Sequence, residues 1–440
     1  MEVIMKTLIL DGSIHSDPLA TPVRDALLSA LHVDGVDVEY MRLSEMNIAP
    51  CQGDFFCWIR TPGQCAIDDD NRAVTQALIQ SDLVIYLTPV TFGGYSAELK
   101  RAVDHLIPLV SPFFAMEKGE IHHQRRYRRY PRLMVIGWLP QPDEASEGIF
   151  HHLVYRNGIN MYAPSVVSGV VYAGTDEADI HRAIRGWLDA AQGSKRQPEA
   201  ALPAVETPAA AASYALQSAV LLVGSPRGKT STSNALGSYL FEQLAARGVQ
   251  TETIRLYTVL KSEQNMQALL EAVSAAGLVT LAFPLYVDAL PGAVVQVLEK
   301  IAAYRRENPP DHPQQLAAIA NCGFPEAAQN DTALAICHNF SRLAGFEWAG
   351  GLSLGGGEGI VHGTPLGELD GRATPIKASL ELAAHALAAG EPIPAQPVAL
   401  MSRKVIPAWL YRIMGAYGWK QQAKGYGTQK KLNEQPYRQA

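Results

Sequence analysis

The sequence predicts an α/β protein of two doubly wound domains, each a five-stranded parallel sheet with helices on both faces. Three observations predict it. Apolar, strand-like runs alternate with segments of helical spacing. The same order of elements appears twice, about 210 residues apart, which is a duplicated domain and not a short repeat period. The chain has 440 residues, and a single hydrophobic core stops growing at roughly 250–300.

In the first half, strands are expected at 6–10, 36–42, 83–87, 133–138 and 166–172. Helices are expected at 21–31, 71–80, 96–109 and 178–191. In the second half the strands fall at 219–223, 251–256, 278–283, 316–320 and 350–354. The helices fall at 234–246, 266–275, 293–303, 327–344 and 374–389. Residues 193–216 are rich in Ala and Pro without periodicity and read as a semi-extended linker. The expected organisation is therefore a first domain at 1–192, the linker at 193–216, a second domain at 217–390, and a tail at 391–440.

Hydrophobic residues make up 48% of the chain and charged residues 18%, the balance of an ordinary globular protein. A net charge of −6 argues against a general nucleic-acid binder. The N-terminus, MEVIMKTLILDGS, lacks the features of a secretory signal. No uncharged apolar run reaches the ~18 residues of a spanning helix. A cytoplasmic location is the expectation.

Function enters at the ends of the strands. The first strand of the second half runs into Gly224-Ser225-Pro226-Arg227-Gly228-Lys229-Thr230-Ser231-Thr232-Ser233-Asn234. Such a loop opens a helix, where free backbone N–H groups and the helix dipole favour a phosphate. The hydroxyls of Ser225, Thr230, Ser231, Thr232 and Ser233 add donors, with Arg227 and Asn234 beside them. It is not a triphosphate-binding Walker loop, because no Gly stands five residues before Gly228. The first half offers Gly12-Ser13-Ile14-His15-Ser16-Asp17-Pro18 at the equivalent place. Ser13, His15 and Ser16 are its candidate donors, and Asp17 would repel an anion if it pointed inward. The plainer reading of both loops is a strand–helix turn rich in capping residues.

These residues resemble the phosphate loop of the NAD(P)H-dependent FMN reductase and iron–sulfur flavoprotein group, within the flavodoxin-like superfamily. A second match follows the third strand of each half. It comprises Pro89, Val90, Thr91, Phe92 and Gly93 in the first and Pro284, Leu285, Tyr286, Val287 and Asp288 in the second. In that group this loop wraps the flavin ring, where Phe92 or Tyr286 could cover a ring face. A third loop, Asn321-Cys322-Gly323, lies where such proteins approach the flavin again. Nothing beside Cys322 in sequence lowers its pKa, so it is not read as a catalytic thiol.

Three of the five cysteines crowd at Cys51, Cys57 and Cys65. With Asp54 they resemble the compact four-cysteine motif of iron–sulfur flavoproteins, Asp54 standing where the second cysteine would be. Three readings stand at this point: thiols without a cluster, an iron–sulfur cluster with Asp54 as fourth ligand, or another metal such as zinc.

Residues 122–132 read HHQRRYRRYPR, with five arginines. They could meet the phosphate of NADPH or an acidic redox partner, or form a solvated insertion at a subunit contact. Between Met401 and Ala440 there are eight Lys/Arg and one acid, Glu434. This basic, aromatic tail could lie on an anionic membrane surface or pack on a domain, and packing is the favoured reading. The resemblance implies FMN as cofactor, NAD(P)H as co-substrate, a homo-oligomer, and no catalytic side chain. Electrons would pass to a quinone, flavin, nitro or azo compound, or other small acceptor. The alternative is an electron-transfer protein serving redox-protein partners without oxidising nicotinamide.

Overall fold

The inner runs expected as strands are apolar because helices cover both faces of a parallel sheet, while the edge runs 36–42 and 251–256 carry charged residues. The structure is a computed structural model, which describes residues 5–14, 17–193, 200–205, 215–404 and 406–438. The chain divides into two compact units, Met1–Pro203 with Arg412–Ala440, and Ala204–Tyr411.

In the first unit the strands are β1 (Lys6–Asp11), β2 (Asp37–Arg42), β3 (Leu83–Pro89), β4 (Val110–Glu117), β5 (Glu120–Arg125), β6 (Arg132–Leu139) and β7 (Val166–Tyr172). Five of them form a parallel sheet in the order β2-β1-β3-β6-β7. The order reverses between β1 and β3, which opens a crevice at the carboxyl ends of those strands. Leu27 and Leu31 from the helix Ala20–Val33 and Ile184 and Leu188 from Glu177–Gln192 pack with Ile9, Ile85 and Ile136 of the sheet.

The second unit repeats this plan with β8 (Ser218–Val223), β9 (Gln250–Arg255), β10 (Leu278–Pro284), β11 (Gln315–Asn321) and β12 (Glu347–Leu354). Its sheet order, β12-β11-β10-β8-β9, is the same topology read from the other edge. Leu236 and Leu240 of the helix Thr232–Ala245 and Leu380 of Thr374–Ala388 close its core on Leu221 and Leu352. Each such buried leucine contributes roughly 1.5–3 kcal/mol.

Several expectations need correction. The expected helix 96–109 stops at Asp104 and gives way to a single 3-10 turn, Ile107–Leu109, with Pro108 inside it. The expected helix 327–344 likewise divides into a 3-10 turn, Ala327–Asn330, and the helix Asp331–Leu343. An antiparallel hairpin, β4 with β5, and the helix Glu144–Asn160 were not anticipated. Most of the linker, 194–199 and 206–214, lies outside the described residues.

The tail does not stand alone. Residues 391–411 go with the second unit, including the short helix Ala395–Met401. Residues 412–440 go with the first. The helix Ala408–Lys424 runs through Gly415 and Gly418 without a break. Gly415 is needed there because a Cβ would sit 2.4 Å from the Phe114 ring. Trp419 meets Trp58 and Phe55 with ring centroids 5.1 and 5.3 Å apart. Among the described residues no helix is long and apolar enough to cross a membrane.

The arginine-rich segment explains this docking. Arg126 is buried, and its guanidinium donates to the carbonyls of Leu432 and Glu434, each at 2.8 Å, and of Pro108 at 2.7 Å. Gln435 donates back to the Arg126 carbonyl. At Arg126 the segment is therefore a clamp for the tail, not a solvated insertion, while Arg125, Arg128 and Arg129 stay exposed.

Candidate functional site

In the second domain three loops converge at the carboxyl ends of β8, β10 and β11. The Gly224 N–H donates to the Ala282 carbonyl at 2.8 Å, and the Leu285 N–H to the Asn321 carbonyl at 2.8 Å. The Asn321 amide braces the cluster, donating to Ser233 Oγ at 2.8 Å and to the Phe283 carbonyl at 2.9 Å. Asn321 and Ser233 thus hold the loops together and do not point outward as free donors.

The loop at 224–234 has features that suit an anion. Its helix, Thr232–Ala245, is capped by Ser231, whose hydroxyl accepts the Asn234 N–H at 3.1 Å. Thr232 is buried, and its Oγ1 has no hydrogen-bond partner. An orphaned hydroxyl at the positive end of a helix is a feature a bound phosphate would satisfy. Lys229 and Thr230 are exposed beside it. Arg227 is already engaged: its two terminal nitrogens pair with Glu358 at 2.8 and 2.9 Å. Glu358 gave no signal in the sequence because it follows the fifth strand, far from the loop it reaches.

The ring loop is a tight two-residue turn. Tyr286 and Ala289 exchange backbone hydrogen bonds at 2.9 and 3.1 Å. Between them Val287 (φ 45°) and Asp288 (φ 59°) are both left-handed. A β-branched residue is seldom found there, and strain of this kind collects at functional sites. Beyond β11, Gly323 faces open space, while Cys322 is buried and burial pushes its thiol up to about 12. That agrees with Cys322 having no role as a nucleophile.

The first domain repeats the frame bond for bond. Its Gly12 N–H donates to the Leu87 carbonyl at 2.8 Å, and Val90 N–H to the Trp138 carbonyl at 3.0 Å. Thr91 and Gly94 exchange bonds at 2.9 and 2.8 Å around left-handed Phe92 and Gly93. The ring loop is therefore present twice.

The anion chemistry is not. A shift of 212 brings β1 and the helix Ala20–Val33 onto β8 and the helix Thr232–Ala245. In that register Leu19 stands for the capping Ser231 and supplies no side-chain cap. Ala20 stands for Thr232, Asp17 for Lys229 and Asp11 for Val223. Asp11 is buried and accepts the Ser13 N–H at 2.8 Å as well as the Tyr40 hydroxyl. Asp17 accepts from the Trp138 indole at 2.6 Å and from the Leu19 N–H at 3.0 Å. These two carboxylates thus take the Ser13 and Leu19 N–H groups of the loop. His15 and Ser16 lie outside the described residues.

The expected metal ligands also need correction. Among the described residues no group of three or more His, Cys, Asp or Glu side chains is placed to hold a metal ion. Asp54 turns back onto the Phe56 N–H at 3.0 Å. Cys65 Sγ lies 3.5 Å from His105 Nδ1, and His105 Nε2 donates to the Ala49 carbonyl at 2.7 Å. Since that carbonyl can only accept, Nε2 carries a proton, and Nδ1 faces the Cys65 sulfur. Burial pushes the Cys51 thiol up to about 12, Cys57 well above its ordinary value, and Cys65 upward. As arranged, Cys51, Asp54, Cys57 and Cys65 are not brought together as one set of metal ligands.

Comparison with known proteins bears on the first domain. Residues 5–169 match the family model described as NADPH-dependent FMN reductase. An iron–sulfur flavoprotein of Methanocaldococcus jannaschii is 31% identical over 105 residues, 24% of this chain and 53% of the relative. One from Archaeoglobus fulgidus is 30% identical over 104 residues, 24% of this chain and 46% of the relative. The chain thus spans about half the length of the curated relatives it matches. Among solved structures, an NAD(P)H:quinone oxidoreductase from Methanothermobacter marburgensis aligns with 40% of this chain and 96% of its own, at 12% identity and a TM-score of 0.31. The resemblance to the FMN reductase and iron–sulfur flavoprotein group therefore holds, and the two equivalent sheets agree with a tandem duplication.

Proposed function

We propose that the chain is an FMN-dependent NAD(P)H oxidoreductase whose flavin sits in the second domain, with electrons passing to a small acceptor such as a quinone, a free flavin or a nitro or azo compound. The observation that carries the proposal is the orphaned Thr232 hydroxyl at a capped helix N-terminus, next to a strained ring turn at the sheet's switch point. The family match, at residues 5–169, supports flavin chemistry in the chain but lies in the first domain; the placement in the second rests on the loop geometry alone.

The residues divide the work. Thr232 and Lys229 at the N-terminus of the helix Thr232–Ala245 would hold the phosphate, while the N–H groups of Gly228, Thr230 and Ser231 and the Thr230 hydroxyl shape the loop from within. The turn at 285–288 and Gly323 would border the ring. When bound, FMN supplies hydride acceptance from nicotinamide and electron transfer onward. The chain's own part is to bind, orient and shield. The first domain keeps the same turn, and the described residues of its loop lack the capping hydroxyls of Ser231 and Thr232, so this reading gives it a scaffold role. A homo-oligomer and a cytoplasmic location go with the proposal.

The test is flavin content and turnover. Full-length protein purified with excess FMN should carry one FMN per chain, released by acid and identified by chromatography. It should oxidise NADH or NADPH with menadione or free FMN as acceptor. Two flavins per chain would overturn the assignment to one domain. Bound flavin without any nicotinamide oxidation would favour the electron-transfer alternative.

A further inference from the structure

The second domain's phosphate loop has a cover. After β12 the chain passes through five glycines in the nine residues 355–363. On one side this segment is stitched to the loop after β11. Gly356 N–H donates to the Phe324 carbonyl at 2.6 Å, and Gly357 N–H to the Cys322 carbonyl at 3.0 Å. On the other side it presses onto the phosphate loop. A Cβ on Gly357 would lie 3.1 Å from the Thr232 methyl, and one on Gly363 would lie 2.0 Å from the Thr230 carbonyl oxygen. Gly363 also has φ +73°, so only glycine suits that position on both counts.

A glycine-rich segment has little conformational preference of its own. Something must fasten it, and side chains of the two elements do so. Glu358, on the short helix Gly357–Ile360, takes both terminal nitrogens of Arg227. His362 Nδ1 lies 3.0 Å from the same carboxylate. The pair is bidentate, which favours a defined geometry. It is also partly exposed, 28% on Arg227 and 37% on Glu358, so water screens it. A link of that strength is too weak to hold the domain together and strong enough to hold a flexible segment shut.

We propose that Glu358 is a positioning residue of the phosphate site. Through Arg227 it clasps residues 355–363 across the loop, and this clasp sets how fast a flavin phosphate enters and leaves. The inference rests on the second domain being the FMN domain. It also accounts for Arg227, whose charge is spent on the clasp, which leaves Thr232 and Lys229 to meet the anion.

The experiment compares wild type with Glu358→Gln as full-length proteins. FMN release is followed by the rise in flavin fluorescence on dilution, and amide hydrogen exchange of 355–363 is read without flavin. Glu358→Gln should release FMN about tenfold faster, the scale of one partly screened bidentate pair. Its 355–363 amides should exchange faster, with the thermal midpoint kept within about 2 °C. Unchanged release overturns the proposal, whatever the amides do. A wild type that takes up no FMN overturns the flavin reading instead, and the amide comparison then tests the clasp alone. Should Glu358→Gln fail to fold, Glu358→Asp, which keeps the charge on a shorter arm, gives the same comparison.

Discussion

At residue scale, Val287 shows what the site costs. Its φ of 45° places a β-branched side chain in the left-handed region. Val287→Gly should therefore raise stability by up to about 1 kcal/mol, read as a higher urea midpoint. Lower stability would mean that the valine's packing outweighs its strain. His123 behaves differently. It lies between the rings of Trp58 and Phe114, at 4.5 and 4.9 Å between centroids, and burial lowers its pKa from 6.5 to about 3. The folded state thus resists the proton that the unfolded chain accepts. Stability is full above about pH 6.5 and is lost progressively as pH falls toward 3. His123→Phe should flatten that part of the curve of thermal midpoint against pH, leaving the loss from Glu120, whose carboxyl is held near 2 by His122 and Arg156. Sequence reading found the loops at this scale because Gly, Ser and Thr clusters have local causes. It missed Glu358 and Asp11, whose roles depend on partners 131 and 29 residues away.

At the scale of elements, the inner strands were legible because burial on both faces leaves an unbroken apolar run, while the edge strands β2 and β9 are polar and half-exposed. The hairpin β4–β5 was not, since residues 122–132 look like a solvated basic stretch until the tail supplies the partner carbonyls for Arg126. Arg126→Ala would strand several buried acceptors and cost about 3 kcal/mol in the first domain. The tail packs on the short helix Phe56–Ile59, which carries Cys57: Tyr426 meets the Phe56 ring at 5.7 Å, and Thr428 donates to the Ile59 carbonyl. The same variant should therefore speed the reaction of Cys57 with a thiol reagent. Unchanged thiol kinetics would show that the tail does not guard this cysteine.

For the whole molecule, duplication of the sheet was plain from element order, while the inequality of the halves rests on single positions. Asp17 signalled it in the sequence. Leu19 and Ala20, in place of Ser231 and Thr232, became comparable only once the two helices were in register. On the proposed placement of the flavin in the second half, Thr232→Val should sharply lower FMN retained per chain on gel filtration, whereas Ser13→Ala should leave it unchanged. Equal losses from both would contradict a single flavin site.

The division of the chain has a consequence for its biosynthesis. Met1–Pro203 forms one unit together with Arg412–Ala440, and the whole second domain is encoded in between. Of these two domains, the one that starts first on the ribosome is thus completed second. While some two hundred further residues are translated and folded, its Phe56–Ile59 helix and the Arg126 guanidinium wait without the strap that will cover them. A ribosome that stops after the second domain releases a protein with an intact phosphate site and an unfinished partner.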